Sequence, residues 1–403
     1  MSSLFNFSSA GHLVFGCGSV GQLGQLVARR NLRRIFIVTD QVLETAGLLA
    51  RVTGSLAASN IEFTLFNGGQ PEPSIEVANL AIDQAQATGC DAVLGLGGGS
   101  NMDVAKMVAA VLTHGGQVQD YLGPENVPGP LMPIICLPTT AGTGSEVTGS
   151  VILSDTEAAT KVAALSVFFR PNLAVVDPEL TLSCPKKVTA DSGIDVLAHA
   201  IEAYTAVDWH DLPARLGEGV ISPFDGNHPL GDCFAEKAIQ LVGEHLSTVV
   251  HQPDNLQARE GMALAATLGG MAFATSGVAL IHAMEYPVGV ALHISHGEGN
   301  GLLMPYVMQY NLPTRVDRFA KVAALLGEDT SKLTVERAAQ RSVELVDQLR
   351  ADIGIPCKLR EIGATEEMLP SFAERAFAIK RLMRMNPRDP TEAEILEVFR
   401  QAF

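Results

Sequence analysis

The first 180 residues alternate short apolar runs with stretches of helical spacing. RRIFIVTD (33–40), IEFTLFNG (61–68), DAVLGLGGG (91–99), LMPIICLPTT (131–140) and NLAVVDP (172–178) are largely apolar at successive positions, which predicts strands covered on both faces. Between them, 41–59 and 74–89 carry apolar residues at i, i+3 and i+4 and predict helices. Such strands separated by helices predict a parallel sheet between helical layers. From about residue 186 the strand signals stop, and 186–205, 232–250, 256–286 and the chain from 313 onward read as helices. The expectation is an α/β domain with a parallel sheet over 1–185 and an all-helical domain over 186–403, packed face to face with a cleft between them. The stretch 208–231 is rich in Gly, Pro and Asp and follows neither period. It predicts a long loop, and loops of that length usually carry a function or are disordered.

Composition narrows the class of partner. Lys and Arg number 28 against 44 Asp and Glu, a net charge of −16, which argues against nucleic acid or an anionic membrane as partner. Six scattered cysteines with no CxxC pair fit a reducing compartment. The first basic residue is Arg29, so the start has no basic leader, and a cytoplasmic location is expected. From Glu260 to His282 the chain is uncharged for long enough to span a bilayer. That segment is dominated by Gly, Ala, Ser and Thr and lacks flanking basic and aromatic belts, so a buried helix or helix pair is expected instead.

Two glycine loops compete for a nucleotide. Gly16-Cys17-Gly18-Ser19-Val20-Gly21 is a literal GxGxxG after a short apolar run, with Asp40 placed 19 residues later where a ribose-binding acid would stand. The second, Gly95 to Asp103 with Gly97-Gly98-Gly99-Ser100 at its centre, lies between the DAVLGL strand and a helix over 104–112. There bare backbone and a helix N-terminus suit a pyrophosphate. Asp103 is an odd neighbour for a phosphate and is read as ordering the loop. A third loop, Pro138 to Glu146, offers Thr139, Thr140 and Ser145 after another strand.

The helical half holds a set with metal spacing. Asp195 and His199 are four apart in a helical pattern and project from one face. His282 and His296 follow, fourteen apart, and one carboxylate with three imidazoles suits Fe2+ or Zn2+. His114, His210, His245 and His251 read as core or capping residues, whereas His12, His228 and His293 stay open. Spacing alone does not bring the four together.

The ordered motifs GGGSxxDxAK (97–106), PTTAGTGSEVT (138–148), Asp195/His199, GVALIHAM to GLLMP (277–305) and NPRDPTEAEILEVF (386–399) resemble the iron-containing alcohol dehydrogenase family over nearly the whole chain. The resemblance implies a dehydroquinate synthase-like fold, an NAD-dependent oxidoreductase acting on a small alcohol, aldehyde or hydroxy acid, and a homodimer. It implies Asp195, His199, His282 and His296 as ligands of Fe2+, with Zn2+ as the other metal that fits. Gly97, Gly98, Gly99 and Ser100 fall on the pyrophosphate loop, Thr139, Thr140 and Ser145 on the second cofactor loop, and Lys161 on a lysine beside the cofactor. Asp40 matches the ribose acid and favours NAD over NADP. The Gly16–Gly21 fingerprint is thereby demoted to a structural corner.

Two departures from the family pattern bear on mechanism. Where many members carry HxxxH, the second position here is Tyr286, so Tyr286 and His293 become the candidates for proton relay. This feature and the 208–231 insertion are similar to the hydroxyacid–oxoacid transhydrogenase branch, in which hydride passes from 4-hydroxybutyrate to 2-oxoglutarate through bound nicotinamide. Arg215, in the insertion, is the candidate clamp for such an acid. A metal-dependent lyase on the same fold would want basic residues at the metal face, and 191–204 and 277–300 contain no Lys or Arg.

Overall fold

Nine strands form ahead of Pro185 among the described residues, which are 4–158, 160–216 and 220–403 of this computed structural model. They are β1 (Leu13–Phe15), β2 (Arg34–Val38), β3 (Glu62–Phe66), β4 (Ala92–Gly97), β5 (Gly123–Pro124), β6 (Ile134–Pro138), β7 (Ser150–Asp155), β8 (Thr160–Leu165) and β9 (Leu173–Val176). Six of them make one sheet in the order β1-β9-β6-β4-β2-β3, every neighbouring pair parallel. Side chains alternate across it. Phe36 and Val38 of β2 enter one apolar layer with the helices Ile75–Gln86 and Gly99–His114. Ile35 and Ile37 enter the other with Leu23–Ala28 and Leu48–Ala57. Burial on both faces is why β2, β4, β6 and β9 read as continuous apolar runs. The edge strand β3 departs from the expected cover, with Glu62, Phe63 and Thr64 exposed.

The winding reverses at β2, because β3 lies on one side of it and β4 on the other. Parallel sheets bind ligands at the carboxyl ends of the strands flanking such a reversal. The loops after β2 and β4 carry Asp40 and Gly97–Gly99.

A smaller sheet, β5-β8-β7, was not expected from the pattern. β7 and β8 pair antiparallel around a polar turn at 156–158, and β7 alternates buried Val151 and Leu153 with half-buried Ser150, Ile152 and Ser154. A helix also ends early: the expected 41–59 helix is two, Gln41–Thr45 and Leu48–Ala57, separated at Gly47.

By contacts the chain divides into Ser8–Cys184 and Pro185–Phe403, and residues 4–7 go with the helical unit. Aromatic contacts hold them there. Phe5 stacks on His228 at 4.3 Å and meets Trp209 edge-on at 5.2 Å, and Phe7 stacks on Phe234 at 5.3 Å.

In the helical unit the uncharged stretch folds as Leu256–Ser276 and Leu280–Leu292, bent by 106°. The break falls at Gly277, whose φ of 87° suits glycine and whose position leaves no room for a Cβ beside Phe224 and Met385. No single helix among the described residues is long and apolar enough to cross a membrane. In the 208–231 stretch, Asp208 bridges to Asn227 and a short helix spans Leu212–Arg215. Residues 217–219 lie outside the described residues.

Candidate metal and nucleotide sites

The helix Lys186–Thr205 is buried at nearly every position beyond Thr189, and it turns Asp195, His199 and Glu202 toward one side. The bend at Gly277–Ala279 starts a new helix whose third residue is His282. The helix His296–Asn311 opens with His296 itself.

Donor atoms of Asp195, His199 and His282 lie within 4.8 Å of one another, all three residues buried. Asp195 Oδ2 is 3.8 Å from His199 Nε2, and Asp195 Oδ1 is 3.8 Å from His282 Nε2. The His199 and His282 rings stack at 4.8 Å, with Phe273 covering His199 at 4.2 Å. The His296 ring stands 5.2 Å from that of His282. Asn300 ties it to the rest, its amide Nδ2 donating to Asp195 Oδ1 at 2.7 Å and lying 3.2 Å from His296 Nε2.

Two carboxylates that the sequence reading did not single out orient these rings. Glu202 lies 2.6 Å from His282 Nδ1 and also accepts from the amides of Ala279 (2.8 Å) and Ile281 (2.6 Å). Glu285, fully buried, bonds His296 Nδ1. With Nδ1 turned to Glu202, the His282 ring presents Nε2 on the side of Asp195. That Nε2 is buried and has no hydrogen-bond partner among the described residues. A buried acceptor aimed at a carboxylate across 3.8 Å makes sense with a cation between them, so the residues fit a divalent metal. Burial pushes the Asp195 carboxyl up, but the His199, His296 and His282 imidazoles and the Asn300 amide bring it down to about 2.

The relay candidates separate. Tyr286 is half-buried, its ring 5.9 Å from that of His296. His293 is exposed and caps the far end of the Leu280–Leu292 helix with a left-handed backbone, φ 55°. Arg215 is committed elsewhere: its guanidinium donates to the carbonyls of Asn386 and Pro387 (2.9 Å to the latter), fastening the 208–231 stretch.

In the α/β unit the GxGxxG turn is filled by its own protein. The amides of Gly18 and Val20 donate to the Asp177 carboxylate at 3.1 and 3.0 Å, where a phosphate would need them. The second loop keeps its donors: the helix begins at Gly99, so the amides of Gly99, Ser100 and Asn101 precede the first intrahelical bond. Gly97 has φ 148°, and a Cβ there would fall 2.3 Å from Asn101 Nδ2. The Asn101 amide joins this loop to the next by donating to Leu96 O (3.0 Å) and to Asp40 Oδ2 (2.8 Å). Asp40 Oδ1 caps the Gln41–Thr45 helix at Leu43 N, 3.0 Å.

The third loop stands close to the second, with Thr139 N bonded to Gly97 O at 3.0 Å and Thr140 against Gly98. Ser145 is buried and its hydroxyl is engaged, donating to Asp103 Oδ1 (2.7 Å) and accepting from Lys106 Nζ (2.6 Å). Asp103 also accepts from Ile152 N, 2.9 Å. The aspartate thus holds the third loop and β7, not the amides of its own glycine loop as its position suggests, and Ser145 is an anchor of the third loop. Lys161 is nearly buried and pairs with Glu72 at 2.9 Å. Asn101 was legible only as a loop residue, since nothing in its spacing marks the two bonds it makes.

The family model of iron-containing alcohol dehydrogenase matches residues 10–178, and that of the family's C-terminal region matches 224–403. The NAD-dependent methanol dehydrogenase of Bacillus methanolicus is 33% identical over 389 residues, covering 96% of this chain and 97% of its own. The solved structure of a 1,3-propanediol oxidoreductase superposes with a TM-score of 0.92 at 33% identity, covering 99% of this chain and 100% of its own. That of sulfoacetaldehyde reductase from Bifidobacterium kashiwanohense in complex with NAD+ gives 0.85 at 27% identity, covering 99% and 98%.

Proposed function

The chain belongs to the iron-containing alcohol dehydrogenase family, and we propose that it interconverts a small primary alcohol or hydroxy acid and the matching carbonyl compound, using iron and NAD. Asp195, His199, His282 and His296 hold the Fe2+ in this reading, and the same donors suit Zn2+. One observation carries it: buried donor atoms of Asp195, His199 and His282 converge within 4.8 Å. Gly97, Gly98, Gly99 and Ser100 take the pyrophosphate, Thr139 and Thr140 line the cofactor with Lys161 beside it, and Asp40 accepts from the adenosine ribose.

When bound, iron supplies a Lewis acid for the substrate oxygen and NAD accepts the hydride. The protein's own part is positional. Glu202 and Glu285 hold the imidazole tautomers, and Asp195 provides the negative charge that retains a cation. The Tyr286 phenol, beside His296, passes the hydroxyl proton outward, with exposed His293 as the alternative carrier. The enzyme works as a cytoplasmic homodimer in this reading, and sedimentation tests the oligomer.

The 208–231 insertion and Tyr286 favour a second reading, the hydroxyacid–oxoacid transhydrogenase. Absorbance of reduced nicotinamide separates the two. Anaerobic Fe2+-loaded protein with excess NAD should accumulate NADH steadily on some member of a panel of short alcohols, diols and 4-hydroxybutyrate. A trace that stops near one equivalent per subunit and resumes with 2-oxoglutarate means transhydrogenation. No reduction on any of them refutes both.

A further inference from the structure

Arg381 belongs to the short helix Lys380–Met383, which packs on the Leu280–Leu292 helix that carries His282 and Tyr286. Its guanidinium carbon lies 5.8 Å from the centroid of the Tyr286 ring, which in turn lies 5.9 Å from the His296 ring. Tyr286 thus neighbours both Arg381 and His296. Arg381 Nη1 is buried and has no hydrogen-bond partner among the described residues. Buried guanidinium N–H groups are ordinarily satisfied, so an unpaired one in contact with a neighbour of His296 calls for a ligand. The segments that build the cluster, 191–204 and 277–300, contain no Lys or Arg, and Arg215 is spent on backbone carbonyls. Arg381 therefore brings a positive charge that those residues do not.

We propose that Arg381 is a specificity-determining residue that binds a carboxylate or sulfonate on the substrate, at the end of a short chain opposite the reacting hydroxyl. This rests on the reading of Asp195, His199, His282 and His296 as the metal site. A guanidinium fork matches the two oxygens of such a group, as an alcohol or diol terminus does not. A site built around an unpaired donor also rejects an analogue that lacks the acceptor, because the donor then stays unpaired. The preferred substrate is accordingly a short ω-hydroxy acid, or the sulfonate of the same shape, ahead of the uncharged alcohol of equal length.

The test compares 4-hydroxybutyrate with 1-butanol, and 3-hydroxypropane-1-sulfonate as the sulfonate arm, in wild type, Arg381→Met and Arg381→Lys. The ratio of kcat/KM for the acid over the alcohol should fall about 10- to 100-fold in Arg381→Met and much less in Arg381→Lys. Independently of turnover, calorimetric titration of butyrate into the metal-loaded protein should show binding in wild type that weakens by a similar factor in Arg381→Met. An unchanged ratio with unchanged butyrate binding overturns the proposal while leaving the dehydrogenase reading intact. Loss of turnover on every substrate in wild type, with Arg381-dependent butyrate binding retained, would strike the dehydrogenase reading alone. If Arg381→Met does not fold, Arg381→Gln, which removes the charge but keeps a polar side chain, carries the test: an acid-to-alcohol ratio and a butyrate affinity equal to those of wild type would refute recognition by the guanidinium.

Discussion

Glu202 and His282, eighty residues apart in sequence, lie 2.6 Å apart at Nδ1, and the same carboxylate closes the start of the helix on which His282 sits. One side chain thus sets both where that helix begins and which nitrogen of the histidine faces Asp195. Glu202→Gln keeps the shape but replaces one acceptor oxygen by a donor, so at least one of the three bonds must fail. Metal affinity should drop about 10- to 100-fold, the usual cost of losing a partner that orients a ligand. Competition with a chromophoric chelator measures it, and an affinity equal to wild type would remove Glu202 from the site's support.

This pairing also shows where sequence reading stops. Asp195 and His199 were readable because four residues on a helix put both on one side. His199-x-x-Glu202 and His282-x-x-Glu285 have one spacing, which invites pairing within each helix. The structure crosses them: Glu202 serves His282, and Glu285 serves His296. Local periodicity carries no information about which helix a carboxylate will meet. The same holds for the bend at Gly277, hidden inside a uniformly apolar stretch, and for β7–β8, whose half-polar alternation lies outside the continuous apolar runs of the main sheet. The buried strands were legible because burial on both faces writes itself into every residue.

Asp195→Ala separates the two cofactors. Removing the carboxylate takes away the negative charge shared by the imidazoles, and metal affinity should fall by more than about 100-fold. NAD binding should stay within about threefold of wild type, because its proposed contacts are in the other unit. Metal content by plasma mass spectrometry and NAD titration by calorimetry decide it. An equal loss of both would refute this division of roles.

Asp40 bears on cofactor choice. Its Oδ1 already caps Leu43 N and its Oδ2 accepts from Asn101, so the carboxylate is held in place by the fold. Asp40→Asn preserves an acceptor for the cap but removes the charge that repels a 2′-phosphate. The ratio of kcat/KM for NAD over NADP should fall about tenfold. A ratio that does not move would mean that Asp40 serves only as a cap.

Lys106 is fully buried, 2.6 Å from Ser145 Oγ and 3.6 Å from Asp103 Oδ1, and burial already pushes the Asp103 carboxyl up. Lys106→Met would leave Asp103 without its counter-charge and should destabilise the α/β unit by about 3–5 kcal/mol, read from denaturant unfolding. Adding Asp103→Leu should recover much of that loss, because the buried Asp103 charge is then removed along with its partner. If the double variant is as unstable as the sum of the singles, the network contributes through geometry rather than charge.

His228 gives the helical unit a pH dependence with a definite sign. Its Nδ1 accepts from Gly231 N at 3.1 Å to cap the helix Pro229–His251, its Nε2 lies 3.0 Å from Thr275 Oγ1, and Phe5 stacks on the ring. Burial holds its pKa below the ordinary imidazole value, against the pull of Asp225 and Asp232. The unfolded chain therefore binds a proton first as pH falls, and the contribution is complete above about pH 6.5 and lost below it. Protonation also removes the lone pair that accepts the capping bond. The melting temperature of wild type should decline between pH 7 and 5, and His228→Asn should flatten that decline, since asparagine caps a helix without titrating. Parallel curves for the two proteins would mean that the acid sensitivity arises at other groups.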